Sequence, residues 1–133
     1  MDNNNTNTLN CKVVILGESA VGKTSIINRY INNSFNPDSM STSGASYASK
    51  TMHFENHNKN LKFDIWDTAG QERFRSLTKI FYKETSVAVL VYDITRKESF
   101  NEVKNYWYSQ IKEHSPKKTS IIIYLYNIYI YIN

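Results

Sequence analysis

Gly17-Glu18-Ser19-Ala20-Val21-Gly22-Lys23-Thr24 decides how this 133-residue chain is read. The octet fits GxxxxGK[ST], a loop whose successive backbone N–H groups form a concave nest for anionic oxygens. It follows the apolar run Val13-Val14-Ile15-Leu16, which reads as a buried strand. It precedes Thr24-Ser25-Ile26-Ile27-Asn28-Arg29-Tyr30-Ile31, whose apolar residues recur at helical spacing. Strand, glycine loop and helix together give the motif mechanical sense, because the helix start adds partial positive charge to the nest. The glycines let the backbone approach an anion with no Cβ in the way. Lys23 would reach the outer phosphates, Thr24 would offer its hydroxyl to Mg²⁺, and the octet with Ser25 forms a candidate nucleotide-phosphate site.

Outward from the loop, Phe35-Asn36-Pro37-Asp38-Ser39-Met40-Ser41-Thr42-Ser43-Gly44 is punctuated as a mobile loop. Strand-like runs at Ala45 to Phe54 and Leu61 to Trp66, parted by the turn-rich Glu55 to Asn60, read as an antiparallel hairpin. A loop follows from Asp67 to Leu77. The continuous apolar run Val87 to Tyr92 reads as a strand buried on both faces. Glu98 to Glu113 carries Phe100, Val103, Tyr106, Trp107 and Ile111 at mostly three- and four-residue steps, an amphipathic helix. Ser120 to Tyr126 reads as another interior strand. The alternation predicts an α/β phosphate-loop nucleotide-binding fold with a mostly parallel sheet and one antiparallel edge strand.

Length allows one domain, and 41% hydrophobic with 21% charged residues is the balance of a soluble globular protein. The net charge of +4 comes from scattered lysines, which gives no support to a nucleic-acid partner. Cys11 is the single cysteine, so no internal disulfide forms and a reducing, cytoplasmic setting is expected. His53, His57 and His114 show no metal-ligand spacing. Residues 1–10, rich in Asn and Thr, are expected to be a disordered tail. The domain is expected over 11–126, with an Ile/Tyr-rich aberrant end at 127–133.

Further motifs stand in order. Trp66-Asp67-Thr68-Ala69-Gly70-Gln71-Glu72-Arg73-Phe74 ends a strand with DxxG followed by Gln. With Gly17 to Thr24, Thr42 and Gly44, Lys62 to Trp66, Ala69 to Leu77, and Leu90-Val91-Tyr92-Asp93-Ile94-Thr95, the chain resembles the Rab family of the Ras-like small GTPases from about Cys11 to about Tyr126. The resemblance implies a switch that binds GTP or GDP with Mg²⁺, hydrolyses GTP slowly and acts in vesicle traffic on endomembranes. Its partners would be exchange factors, GTPase-activating proteins and effectors. Gly22, Lys23 and the adjacent amides would hold the phosphates, and Thr24, Thr42 and Asp67 the metal. The Gly70 amide would touch the γ-phosphate, Gln71 would orient the attacking water, and Phe35 would pack on guanine. Tyr47, Trp66 and Phe81 fall where Rab proteins display an aromatic triad to effectors. The alternation of Phe63 and Ile65 against Lys62, Asp64 and Trp66 puts Trp66 on the more exposed face.

The sequence departs from the family at the base-reading motif. Where Ras-like proteins carry NKxD, this chain has Asn127-Ile128-Tyr129-Ile130, so only the asparagine matches. A site without the aspartate loses the acceptor for guanine's N1–H and amino group and discriminates bases poorly. Ser43 replaces an apolar residue usual in the first switch. The chain ends at Asn133 with no cysteine for a lipid anchor, and the expectation is a C-terminally truncated domain. The alternative reading is therefore a catalytically incompetent product, such as that of a pseudogene, or an effector-binding module without guanine selectivity. A further expectation is that one of the pairs Val13/Ile15 and Val14/Leu16 loses cover.

Overall fold

The computed structural model describes residues 7–38, 45–68, 70 and 75–126. Among them, strands β1 (Asn7–Leu16), β2 (Ala45–Phe54), β3 (Lys59–Thr68), β4 (Val87–Asp93) and β5 (Ser120–Tyr126) form one sheet in the order β2-β3-β1-β4-β5. β1 runs parallel to β3 and β4, and β4 parallel to β5. The β2–β3 pair is antiparallel, with Ala45 opposite Thr68 and Phe54 opposite Lys59. This is the mostly parallel sheet with one antiparallel edge that the alternation of elements predicts. The helices are α1 (Lys23–Asn32), the short α2 (Arg75–Thr78), α3 (Lys97–Glu102) and α4 (Tyr108–His114). A π-helical segment, Val103–Trp107, joins α3 to α4 without a break.

The period-two alternation of β1 sorts its side chains onto two cores. Val13 and Ile15 pack with Val21, Ile27, Ile65 and Val91 beneath α1. Val14 and Leu16 pack with Tyr82, Ala88, Leu90, Val103, Trp107 and Ile111 beneath the α3–α4 helix. Sheet and helices thus form three layers, and the C-terminal end of β1 delivers the glycine loop to a sheet edge between the two helical layers.

Four expectations are corrected. Asn7 to Asn10, expected in a disordered tail, are strand: they pair with Lys59 to Lys62, and the ladder satisfies their backbone while their side chains stay exposed. Residues 1–6 and 127–133 lie outside the described residues. The β1 pairs do not lose cover, since Val13 and Ile15 are 8% and 5% exposed and Val14 and Leu16 fully buried; α1 shields the first pair. Exposure falls instead on β5, expected as an interior strand, where Ile122 and Ile123 are 50% and 56% exposed. β5 is the last strand in the order, so β4 covers only one of its flanks. Finally, the helix expected over Glu98 to Glu113 contains the π segment. Val103, Trp107 and Ile111 on this helix are all buried in the core, the face that the spacing predicts.

Candidate functional site

Gly22 begins α1 in the left-handed region, at φ 97° and ψ 15°, which a Cβ would strain. Ala20 shares that region at φ 59° despite its side chain, a local strain held by the loop. Val21, between them, is buried against β1 and β4 and pins the loop to the sheet. Gly22 has no side chain with which to cap the helix, and α1 has no acidic residue in its first turn. The helix start is therefore built to face an anion rather than a capping side chain.

Lys23 is 5% exposed, and its Nζ donates to the carbonyls of Gly17 at 2.9 Å and Glu18 at 2.7 Å. Those bonds close the loop around its own ammonium and hold the charge within the loop. Burial pulls its pKa down to about 8, with Asp67 and Glu18 resisting and the Arg96 guanidinium adding to the fall. Arg96 is nearby because its Nη2 donates to the Ser19 carbonyl at 2.7 Å.

Asp67 arrives from β3, which runs beside β1 and places Asp67 opposite Ile15. Its Oδ2 accepts from Thr24 Oγ1 at 2.5 Å, although 43 residues separate the two in sequence. The carboxylate is 2% exposed, and its Oδ1 is buried with no hydrogen-bond partner among the described residues. Desolvation raises the Asp67 pKa, although the Thr24 bond and the Lys23 charge oppose it. A buried carboxylate oxygen left without a partner beside a hydroxyl is incomplete without a cation. One carboxylate and one hydroxyl suit Mg²⁺, which keeps waters and takes its remaining ligands from phosphates. The residues fit the metal. Among the described residues no group of three or more His, Cys, Asp or Glu assembles.

Gly70 meets the same loop. A Cβ built on it would strike the Glu18 carbonyl group and the Ser19 amide, so only glycine lets this backbone lie against the nest. Ser25 and Phe35 share a pocket of about 530 Å³ along α1, lined also by Arg29, Lys50 and Tyr124. Tyr47, Trp66 and Phe81 form a continuous aromatic strip, with ring centroids 5.2 Å apart at each step. Tyr47 is half exposed, whereas Trp66 and Phe81 are half-buried against the α3–α4 core. Thr42 and Gln71 lie outside the described residues.

Sequence reasoning gave no role to Arg75, Glu102 or Trp107 at the site. Arg75 Nη2 donates to Glu18 Oε1 at 2.6 Å and to Glu102 Oε2 at 2.8 Å, and Trp107 Nε1 donates to Glu18 Oε1 at 3.3 Å. Glu18 to Trp107 spans 89 residues, and no local pattern marks such a contact.

Residues 12–127 match the family described as the Ras family. The chain is similar to the Ras-related protein Rab-22A of Homo sapiens, 44% identical over 112 residues, covering 84% of this chain and 56% of that protein. It is equally similar to the Ras-related protein Rab-3B of Bos taurus, 44% identical over 84% of this chain and 50% of that protein. The Ras-related protein RGP1 of Oryza sativa subsp. japonica is 41% identical over 84% of this chain and 48% of its own length. The chain thus spans about half the length of the curated relatives it matches.

Proposed function

Because the chain belongs to the Ras family and is Rab-like within it, we propose that it is a guanine-nucleotide switch that holds GTP or GDP with Mg²⁺. The observation that carries this reading is the buried, half-satisfied Asp67 carboxylate bonded to Thr24 beside the Lys23 ammonium. A carboxylate suited to a cation and an ammonium suited to an anion thus stand side by side at the mouth of a phosphate nest. In this reading Lys23 and the loop amides neutralise and orient the phosphates, and Gly22 and Gly70 let backbone approach them. Thr24, Thr42 and Asp67 would hold Mg²⁺, which would supply neutralisation of phosphate charge. Gln71 orients the attacking water for slow hydrolysis. The close approach of Gly70 to Glu18 and Ser19 supports a second switch that responds to the outer phosphate.

Partners would be exchange factors, GTPase-activating proteins and effectors of vesicle traffic on endomembranes. The contiguous strip of Tyr47, Trp66 and Phe81 supports the effector surface. Among the described residues no helix is long and apolar enough to cross a membrane. A second reading, an effector-binding module with weak base selectivity, is favoured by Asn127-Ile128-Tyr129-Ile130 in place of the guanine-reading motif.

A competition titration of GTP against ATP on the monodisperse chain tests both. Mg²⁺-dependent triphosphate binding is the result expected of the switch, and equal affinity for GTP and ATP is the result expected of the second reading. Failure to bind either triphosphate refutes the switch, and strong guanine selectivity refutes the second reading.

A further inference from the structure

The phosphate nest carries a carboxylate that its motif does not require. Glu18 occupies a position that GxxxxGK[ST] leaves open. The nest works by concentrating positive potential on an anion, and a negative side chain beside it opposes binding unless it is neutralised. Arg75, the first residue of α2, meets that carboxylate at 2.6 Å. Both side chains are only 23% exposed, so solvent and salt screen the pair less than a surface one. The same Nη2 also holds Glu102 at 2.8 Å, at the end of α3.

Geometry fixes the guanidinium from a second direction. Its carbon lies 4.1 Å from the Tyr106 ring centroid and 5.4 Å from that of Trp107. Both aromatics belong to the π-helical segment, a departure from regular helix that often marks functional positions. Trp107, fully buried, turns its indole N–H onto the same Glu18 oxygen. Glu18 is thus gripped on every side: Lys23 binds its carbonyl, Gly70 abuts its backbone, and Arg75 and Trp107 bind its carboxylate.

We propose that Arg75 is a positioning residue for nucleotide retention, cancelling the Glu18 charge and latching α2 and the π segment to the phosphate loop. The inference rests on the nucleotide-binding reading above. Linkage makes the effect reciprocal: nucleotide in the nest favours the Arg75–Glu18 bond, and the bond favours nucleotide.

The test measures affinity for a fluorescent GDP with Mg²⁺, together with Trp107 emission, in a Trp66→Phe background throughout. Arg75→Ala, Arg75→Lys, Glu18→Gln and the double variant Glu18→Gln/Arg75→Ala are compared with the parent. Loss of a charge-assisted contact predicts about 10- to 100-fold weaker GDP binding for Arg75→Ala. Glu18→Gln should recover most of that loss, because it removes the charge that needed cancelling. Arg75→Lys should recover part of it, as a point charge without the planar fork. Nucleotide should shift Trp107 emission in the parent and not in Arg75→Ala.

A merely structural arginine predicts the opposite, with Glu18→Gln adding to the loss; that result, or unchanged affinity in Arg75→Ala, overturns the latch. Where Arg75→Ala fails to fold, the pair Arg75→Lys and Glu18→Gln/Arg75→Lys carries the same comparison. A parent chain that binds no nucleotide refutes the functional reading and this inference with it. A parent that binds while the variants match it refutes the latch alone.

Discussion

Replacing Lys23 by methionine separates what this side chain does for nucleotide binding from what it costs the fold. The lysine is 5% exposed and its pKa falls from the ordinary 10.5 to about 8. That gap corresponds to about 3 kcal/mol by which the ligand-free fold favours the neutral amine. Between the two values the unfolded chain binds a proton that the folded chain has released, so stability rises with pH across this window. From about pH 7 to about pH 9.5 the wild-type chain should gain about 2 kcal/mol from this group, and Lys23→Met nothing from it. The difference between the two chains removes the titrations they share. Urea unfolding of both chains at the two pH values, free of Mg²⁺ and nucleotide, reads the effect. Parallel pH dependences would refute the buried-ammonium argument. The variant should also lose Mg²⁺-triphosphate binding, since no other side chain donates charge from within the loop; calorimetry showing unchanged affinity would refute the phosphate role of Lys23.

Asp67→Asn should stabilise the ligand-free chain at neutral pH, because desolvation raises the Asp67 pKa and the folded state holds the carboxylate's charge unwillingly. A raised carboxylate pKa makes wild-type stability fall as pH rises through it from the ordinary acid range, so the variant's advantage should vanish in acid. The same change should remove the Mg²⁺ dependence of nucleotide affinity, and a variant that keeps it would rule out Asp67 as a metal residue. Gln71→Leu should leave nucleotide affinity near wild type and slow single-turnover hydrolysis; equal rates would contradict its role on the water. Trp107→Ala removes a fully buried indole from the α3–α4 core, and truncations of that kind cost about 3–5 kcal/mol. A loss below about 1 kcal/mol in denaturant unfolding would show that the core relaxes around the gap.

Much of this protein is legible in its sequence because its decisive features are local. The octet Gly17 to Thr24 needs only its own strand and helix to become a phosphate nest. The alternation in Val13 to Leu16 is enough to place side chains on two faces, and the turn at Glu55 to Asn60 is enough to pair β2 with β3. Period and turn chemistry act over a few residues, so they can be read without tertiary context. The tertiary structure decided what depends on distant neighbours. Asn7 to Asn10 carry a single apolar residue, Leu9, and no strand pattern, and they form strand only because β3 offers them a ladder. Ser120 to Tyr126 is apolar enough for an interior, yet its place at the sheet margin leaves Ile122, Ile123 and Tyr124 exposed, because burial is set by neighbours rather than by composition. The octet places Glu18 in the phosphate loop but gives no sign that Arg75 and Trp107 converge on its carboxylate across 57 and 89 residues of chain. Charges and ring faces have no periodicity to betray such meetings, and only the folded chain brings them within a hydrogen bond of one another.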